Sequence, residues 1–136
     1  MSTSTTTTAK VSQVANVIIP VADQDRMLDF YTETLGLEKR ADVPFGEGVK
    51  GRWIEVAPSG AATVIAICPP GPKAESGGKD TGITLQTDDI DGYHAQLQDS
   101  GVDVDAEVSR MGEPVPPLFW FRDPEDNQLM VVEVGS

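Results

Sequence analysis

The sequence is poor in the residues on which most metal and redox sites are built. It holds one cysteine, Cys68, in 136 residues. A disulfide within the chain is excluded, and a cysteine-based zinc site nearly so. Cys68 ends the apolar run Thr63-Val-Ile-Ala-Ile-Cys68, where a small core-filling role is expected. A reactive thiol would want a nearby base, and the sequence offers none. A lone thiol points to the cytoplasm as the compartment. There is also one histidine, His94, so a two-histidine, one-carboxylate iron site cannot be assembled from a single chain. Basic residues are scarce too: 10 against 22 acidic ones, for a net charge of −12. Nucleic-acid binding depends on neutralising phosphates with Lys and Arg, so that class is disfavoured, as is an anionic membrane surface. No run approaches the ~20 apolar residues of a membrane span. Met1 to Lys10 is nearly all Ser and Thr and lacks the basic and apolar regions of a secretory signal.

What is present is a pattern stated twice. Gln13 to Val21, rich in Val and Ile, reads as a strand. Ala22-Asp23 opens a helix to about Leu35, with Asp23 capping it and Met27, Phe30, Tyr31 and Leu35 on its buried face. Gly36 closes it. Strands follow at about Glu38 to Val43, Lys50 to Val56 and Ala62 to Cys68. After a Pro- and Gly-rich stretch the order returns. Gly82 to Thr87 is a strand, and Asp88 to Ser100 a helix with Ile90, Tyr93 and Leu97 on one face, closed by Gly101. Strands near Val102 to Ser109, Pro117 to Arg122 and Gln128 to Val134 complete it. Gly36 and Gly101 stand at matching points, 65 positions apart. The expected organisation is a tail over 1–11 and a single domain over 12–134. Within that domain 12–68 is a first βαβββ module, 69–80 a linker and 81–134 a second module.

Three stretches carry a family resemblance. Val17-Ile-Ile-Pro-Val21 with Phe30-Tyr31-Thr-Glu-Thr-Leu35-Gly36 is similar to a strand and helix ending in FYxxxLG. Gly82-Ile-Thr-Leu, Asp88-Asp89-Ile90-Asp91 and Leu97 to Gly101 match a second strand and helix. Phe119-Trp-Phe-Arg-Asp123-Pro124-Glu-Asp-Asn127 with Leu129 to Glu133 resembles an FxDPDGN-x-hydrophobic-E ending. Together, over about Val14 to Val134, they resemble the vicinal-oxygen-chelate superfamily of glyoxalase I, bleomycin-resistance proteins and extradiol dioxygenases. The resemblance implies an α+β fold: two tandem βαβββ modules forming a curved mixed sheet around a cleft, helices outside, with dimers as the family habit.

Metal-dependent members of that superfamily carry one ligand on the first and last strand of each module. By the resemblance those places fall here at Asn16, Ala66, Gly82 and Met130. Asn16 is a poor ligand alone, Ala66 and Gly82 have no donor, and a thioether prefers soft metals. Neither a metal nor another cofactor is expected. Residues in phase with those places should line the cleft: Asn16, Ile18, Pro20, Val64, Ala66, Cys68, Gly82, Thr84, Gln86, Gln128, Met130 and Val132. Such a wall is mostly apolar and suits a small organic ligand. Trp53 and Trp120 either pack in the core or a dimer interface, or stack on a flat ligand. The ligand-binding candidates are therefore Asn16, Ile18, Trp53, Ala66, Cys68, Thr84, Gln86, Trp120 and Met130. The first expectation is a metal-independent homodimeric binding protein for a hydrophobic or aromatic compound. The alternative is a glyoxalase-like lyase or isomerase using Glu55, Glu133 or His94 for acid–base work. By strand phase, Glu55 between Ile54 and Val56, and Glu133 after Val132, are expected to point out of the cleft. His94 is expected at a helix surface or boundary, and Arg122 as the partner of Asp123 or of a neighbour. The stiff segment Arg110 to Pro117 is expected as a turn and a possible rim.

Overall fold

The computed structural model describes residues 8–71 and 75–135. Most of the expected tail, 1–7, and part of the expected linker, 72–74, lie outside the described residues, while residues 8–15 are exposed and carry no helix or strand.

The first module opens with β1 (Asn16–Pro20) and α1 (Gln24–Asp29). Asp23 caps α1, its carboxylate accepting from the Arg26 N–H at 3.1 Å. The helix expected as far as Leu35 is not uniform. It widens into a π-helical turn over Phe30–Thr34, where the Leu35 N–H reaches back to the Phe30 carbonyl at 3.0 Å. Thr32 takes part, its hydroxyl donating to the Leu28 carbonyl at 2.8 Å. The turn still buries Tyr31 and Leu35 and ends at Gly36, whose φ of 87° needs a residue without Cβ strain. Three strands follow: β2 (Glu38–Pro44), β3 (Arg52–Ala57) and β4 (Val64–Cys68).

The second module repeats the order with β5 (Asp80–Thr87), α2 (Ile90–Asp99), β6 (Asp103–Val104), β7 (Leu118–Arg122) and β8 (Gln128–Glu133). Asp89 caps α2 through the Gly92 N–H at 3.0 Å. The expected strand from Val102 to Ser109 shrinks to the two residues of β6. Beyond them the pairing is half side chain: the Asp105 N–H donates to the Trp120 carbonyl at 3.0 Å, while the Asp105 carboxylate accepts from the Trp120 N–H at 3.1 Å. Only Ser109 returns, bridging Leu118.

Each module forms one four-stranded mixed sheet, ordered β1-β4-β3-β2 and β5-β8-β7-β6. In both, the first strand pairs parallel with the fourth, and the rest are antiparallel. Alternation along the strands sends one face of each sheet to a common core. That core joins Ile19, Ile54, Val56, Ile65 and Ile67 of the first sheet to Phe119, Phe121, Leu129 and Val131 of the second. Met27, Tyr31 and Leu35 from the first helical segment and Ile90 and Leu97 from α2 belong to it. Phe30 stands 6.4 Å from Phe121 between ring centroids, and the Tyr93 hydroxyl donates to the Leu35 carbonyl at 2.9 Å. The helices and both inner faces therefore share one interior, and the opposite face of each sheet is open.

Candidate functional site

The open face of the first sheet is built from register. Ile18 pairs with Ala66 across β1 and β4, and Ala66 pairs with Glu55 across β4 and β3. Ile18, Ala66 and Glu55 thus form one row. Pro20 and Cys68 pair in the next row, and Trp53 sits two residues from Glu55 on the same side. Asn16 opposes Val64 at the other end. The second sheet repeats the arrangement. Thr84 pairs with Met130, and Met130 with Trp120, while Gln86 and Leu118 both oppose Val132. Strand for strand, the row Thr84, Met130, Trp120 corresponds to the row Ile18, Ala66, Glu55.

Glu55 is a correction to the reading of strand phase. It points to the open face, because residues two apart on a strand share a side and Trp53 is there too. The Trp53 indole N–H donates to the Glu55 carboxylate at 2.8 Å. Among the described residues no Lys or Arg pairs with Glu55. The Cys68 thiol, buried on the same face, is pushed up in pKa by that burial and then by the Glu55 charge. It is accordingly a thiol and a poor nucleophile.

Glu133 lies on the other side of its sheet, where its carboxylate accepts from the Ile90 N–H at the start of α2 at 3.2 Å. His94 is buried rather than on the surface. Its Nε2 donates to the Asp105 carbonyl at 2.7 Å and its ring stands edge-on to Phe119 at 4.9 Å. Since a carbonyl only accepts, Nε2 carries the proton. Neither residue reaches an open face. Arg122 pairs with Asp103 at 2.9 Å and Asp105 at 3.0 Å instead of Asp123. The guanidinium holds the Asp103 carboxyl below the usual carboxylate range. Arg52 is likewise engaged, by Asp42 at 2.8 Å and Asp25 at 2.9 Å.

The sequence-derived candidates divide between the two faces. Asn16, Ile18, Trp53, Ala66 and Cys68 are on the first, and Thr84, Gln86, Trp120 and Met130 on the second. Exposure varies sharply: Ile18 is 53% exposed, whereas Ala66, a small side chain on a central strand, is fully buried. A cavity of about 840 Å³ is lined from both modules and takes in Val17, Val64, Gly82, Thr84 and Gln86. Neither tryptophan lines it. The four places that the resemblance assigns to metal ligands offer one amide at Asn16, nothing at Ala66 or Gly82, and a thioether at Met130. These donors do not fit a hard divalent ion. Among the described residues no group of three or more His, Cys, Asp or Glu side chains stands where it could hold a metal. Likewise no helix there is long and apolar enough to cross a membrane. What the faces do offer is apolar area, two indoles and, beside Trp53, the Glu55 carboxylate.

Known proteins share this arrangement. The crystal structure of TnmS3, an antibiotic binding protein from Streptomyces sp. CB03234, is similar at TM-score 0.79 and 36% identity, covering 93% of this chain and 98% of that one. A glyoxalase/bleomycin resistance protein/dioxygenase superfamily member from Sphaerobacter thermophilus DSM 20745 superposes at TM-score 0.83 with 35% identity, covering 91% and 98%. The uncharacterized protein YetH of Bacillus subtilis (strain 168) is 30% identical over 128 residues, 90% of this chain and 99% of its own. The model of the Glyoxalase/Bleomycin resistance protein/Dioxygenase superfamily matches residues 11–131. On the duplicated sheets, their registers and this match, the chain belongs to the glyoxalase/bleomycin resistance protein/dioxygenase superfamily.

Proposed function

We propose that this protein binds a small hydrophobic or aromatic organic molecule against the open sheet faces, without a metal ion and as a homodimer. The observation that carries the reading is the pair of matched rows, Ile18-Ala66-Glu55 and Thr84-Met130-Trp120. At their centres, where metal-dependent relatives place carboxylates, stand a methyl group and a thioether. Burial against such surfaces and two indoles holds a flat apolar compound. The likeness to an antibiotic binding protein at 36% identity supports the same class. The dimer is supported by exposed apolar side chains on or beside the first open face: Ile18, Val43, Phe45 and Val49. A second copy bringing its own second module over this face would cover them and close a two-sided cleft. The net charge of −12 disfavours nucleic acid as a partner, and the unpaired buried Cys68 suits the cytoplasm.

Sedimentation of the purified protein tests the dimer. Calorimetric titration with planar aromatic compounds, after metal analysis and with chelator present, tests the rest. Binding should persist in chelator. One tightly held divalent ion per chain, required for binding, would overturn the reading.

The orientation of Glu55 favours one other reading. A carboxylate on the open face is placed for proton transfer in a lyase or isomerase. Turnover of methylglyoxal hemithioacetal by the purified protein, lost in Glu55→Gln, would establish it.

A further inference from the structure

Glu55 is the feature that a purely apolar binding face does not need. Its neighbours across the strands are Ala66 and Ala41, and its row ends in Ile18. The guanidinium groups of Arg40, Arg52, Arg110 and Arg122 each hold a carboxylate, and Lys39 faces Asp42. Glu55 instead takes a neutral donor, the Trp53 indole. One of its oxygens is thereby fixed in direction while the charge stays uncompensated by any described cation. The indole presents an aromatic surface next to it, and the whole chain carries a net charge of −12. A half-buried negative charge beside an aromatic ring attracts a cation twice over, by ion pairing and through the ring face.

We propose that Glu55 is the polar anchor of the ligand site, and that the ligand carries a cationic nitrogen, a protonated amine or amidinium, on a flat apolar body. This rests on the binding reading above and narrows its ligand class. The nitrogen meets the Glu55 carboxylate, and the flat body lies along Trp53 and Ile18. The acidic surface raises the local concentration of such a cation and speeds its approach.

The test compares two probes of one shape, 2-naphthylmethylamine, protonated at neutral pH, and 2-naphthalenemethanol. Calorimetric titration gives the affinities, and methyl NMR of Ile18 and Ala66 reports where the probes sit. The intact chain should bind the amine at least about tenfold more tightly than the alcohol, an advantage that shrinks as salt is added. Glu55→Gln keeps an oxygen for the Trp53 indole, so the face is preserved while the charge is lost. In it the amine and alcohol should bind within about twofold of each other. Glu33→Gln, the same charge change at an exposed place on the π-helical turn, should leave the amine advantage intact. If the two probes bind the unaltered chain equally and both shift the Ile18 methyls, the charge anchor is wrong and the binding reading stands. An amine preference that survives Glu55→Gln would remove Glu55 from the site. Failure of both probes to bind would count against the binding reading and this proposal together.

Discussion

The Asp123 carboxylate accepts four hydrogen bonds: from the Tyr31 hydroxyl at 2.7 Å, the Glu125 and Asn127 N–H groups at 2.9 Å, and the Asn127 side chain at 3.0 Å. The motif residues Tyr31 and Asp123, 92 positions apart, are thus partners in one buried network. Removing the hydroxyl leaves a buried carboxylate short of a donor. Tyr31→Phe should lower stability by about 1–3 kcal/mol, read as a lower urea midpoint at unchanged slope. The same residues set the alkaline limit. Burial, then the charge of Asp123 and its hydrogen bond, push the Tyr31 phenol well above its ordinary 10.0, and burial pushes Tyr93 up to about 12. The folded chain keeps protons that the unfolded chain releases above pH 10, so these groups favour folding fully below that point and lose their effect as pH rises through their folded values. Stability should fall between pH 10 and 12 in the unaltered protein. Tyr93→Phe should flatten that fall, as denaturant titrations across this range would record.

Among the elements, α1 is tied to its sheet by one buried side chain. Gln24 donates to the Arg52 carbonyl at 2.7 Å and the Ile67 carbonyl at 2.8 Å, and accepts from the Arg52 N–H at 3.0 Å. This clamp crosses the start of β3, where Gly51 has a φ of 92°. A Cβ there would strike the Pro69 ring and press on the Gln24 amide, whereas a Cβ at Gly36 would meet open space. Gly36→Ala should therefore cost only the left-handed backbone strain, about 1–2 kcal/mol. Gly51→Ala should cost more, and its thermal midpoint should be the lower of the two. The existence and order of the elements were legible because caps, glycine stops and periodicity are local signals. The length of β6 was not. The chain leaves the sheet there because the Asp105 carboxylate takes the Trp120 N–H and the Asp105 carbonyl turns to His94, which leaves only the Asp105 N–H on the Trp120 carbonyl.

At the scale of the molecule, the two modules meet through one interior, since side chains from both sheets and both helices belong to the same core. Polar contacts reinforce the join: the Glu125 carboxylate accepts from the N–H groups of Ala22 and Asp23 at 2.7 and 2.8 Å. Modules that share a core lose their burial together. Calorimetry should show one unfolding transition, with the van't Hoff enthalpy matching the measured one for the folded unit. Two separated transitions would mean that each module holds its own core.

The sequence by itself determined the duplicated order of strands and helices, the capping residues, the acidic character and the family. Each of these is written in neighbouring residues or in composition. It also placed Trp53 and Trp120 among the ligand-binding candidates, and with Trp53 the side of Glu55 was implicit, two positions along the same strand. Only the tertiary structure decided which face of β3 stays open, because that depends on the pairing of Glu55 with Ala66 rather than on the pattern of β3 alone. It alone buried His94 against Phe119 and gave Arg122 to Asp103 and Asp105. Those outcomes rest on contacts between distant segments, and distance along a chain carries no information about which side chains will meet in space.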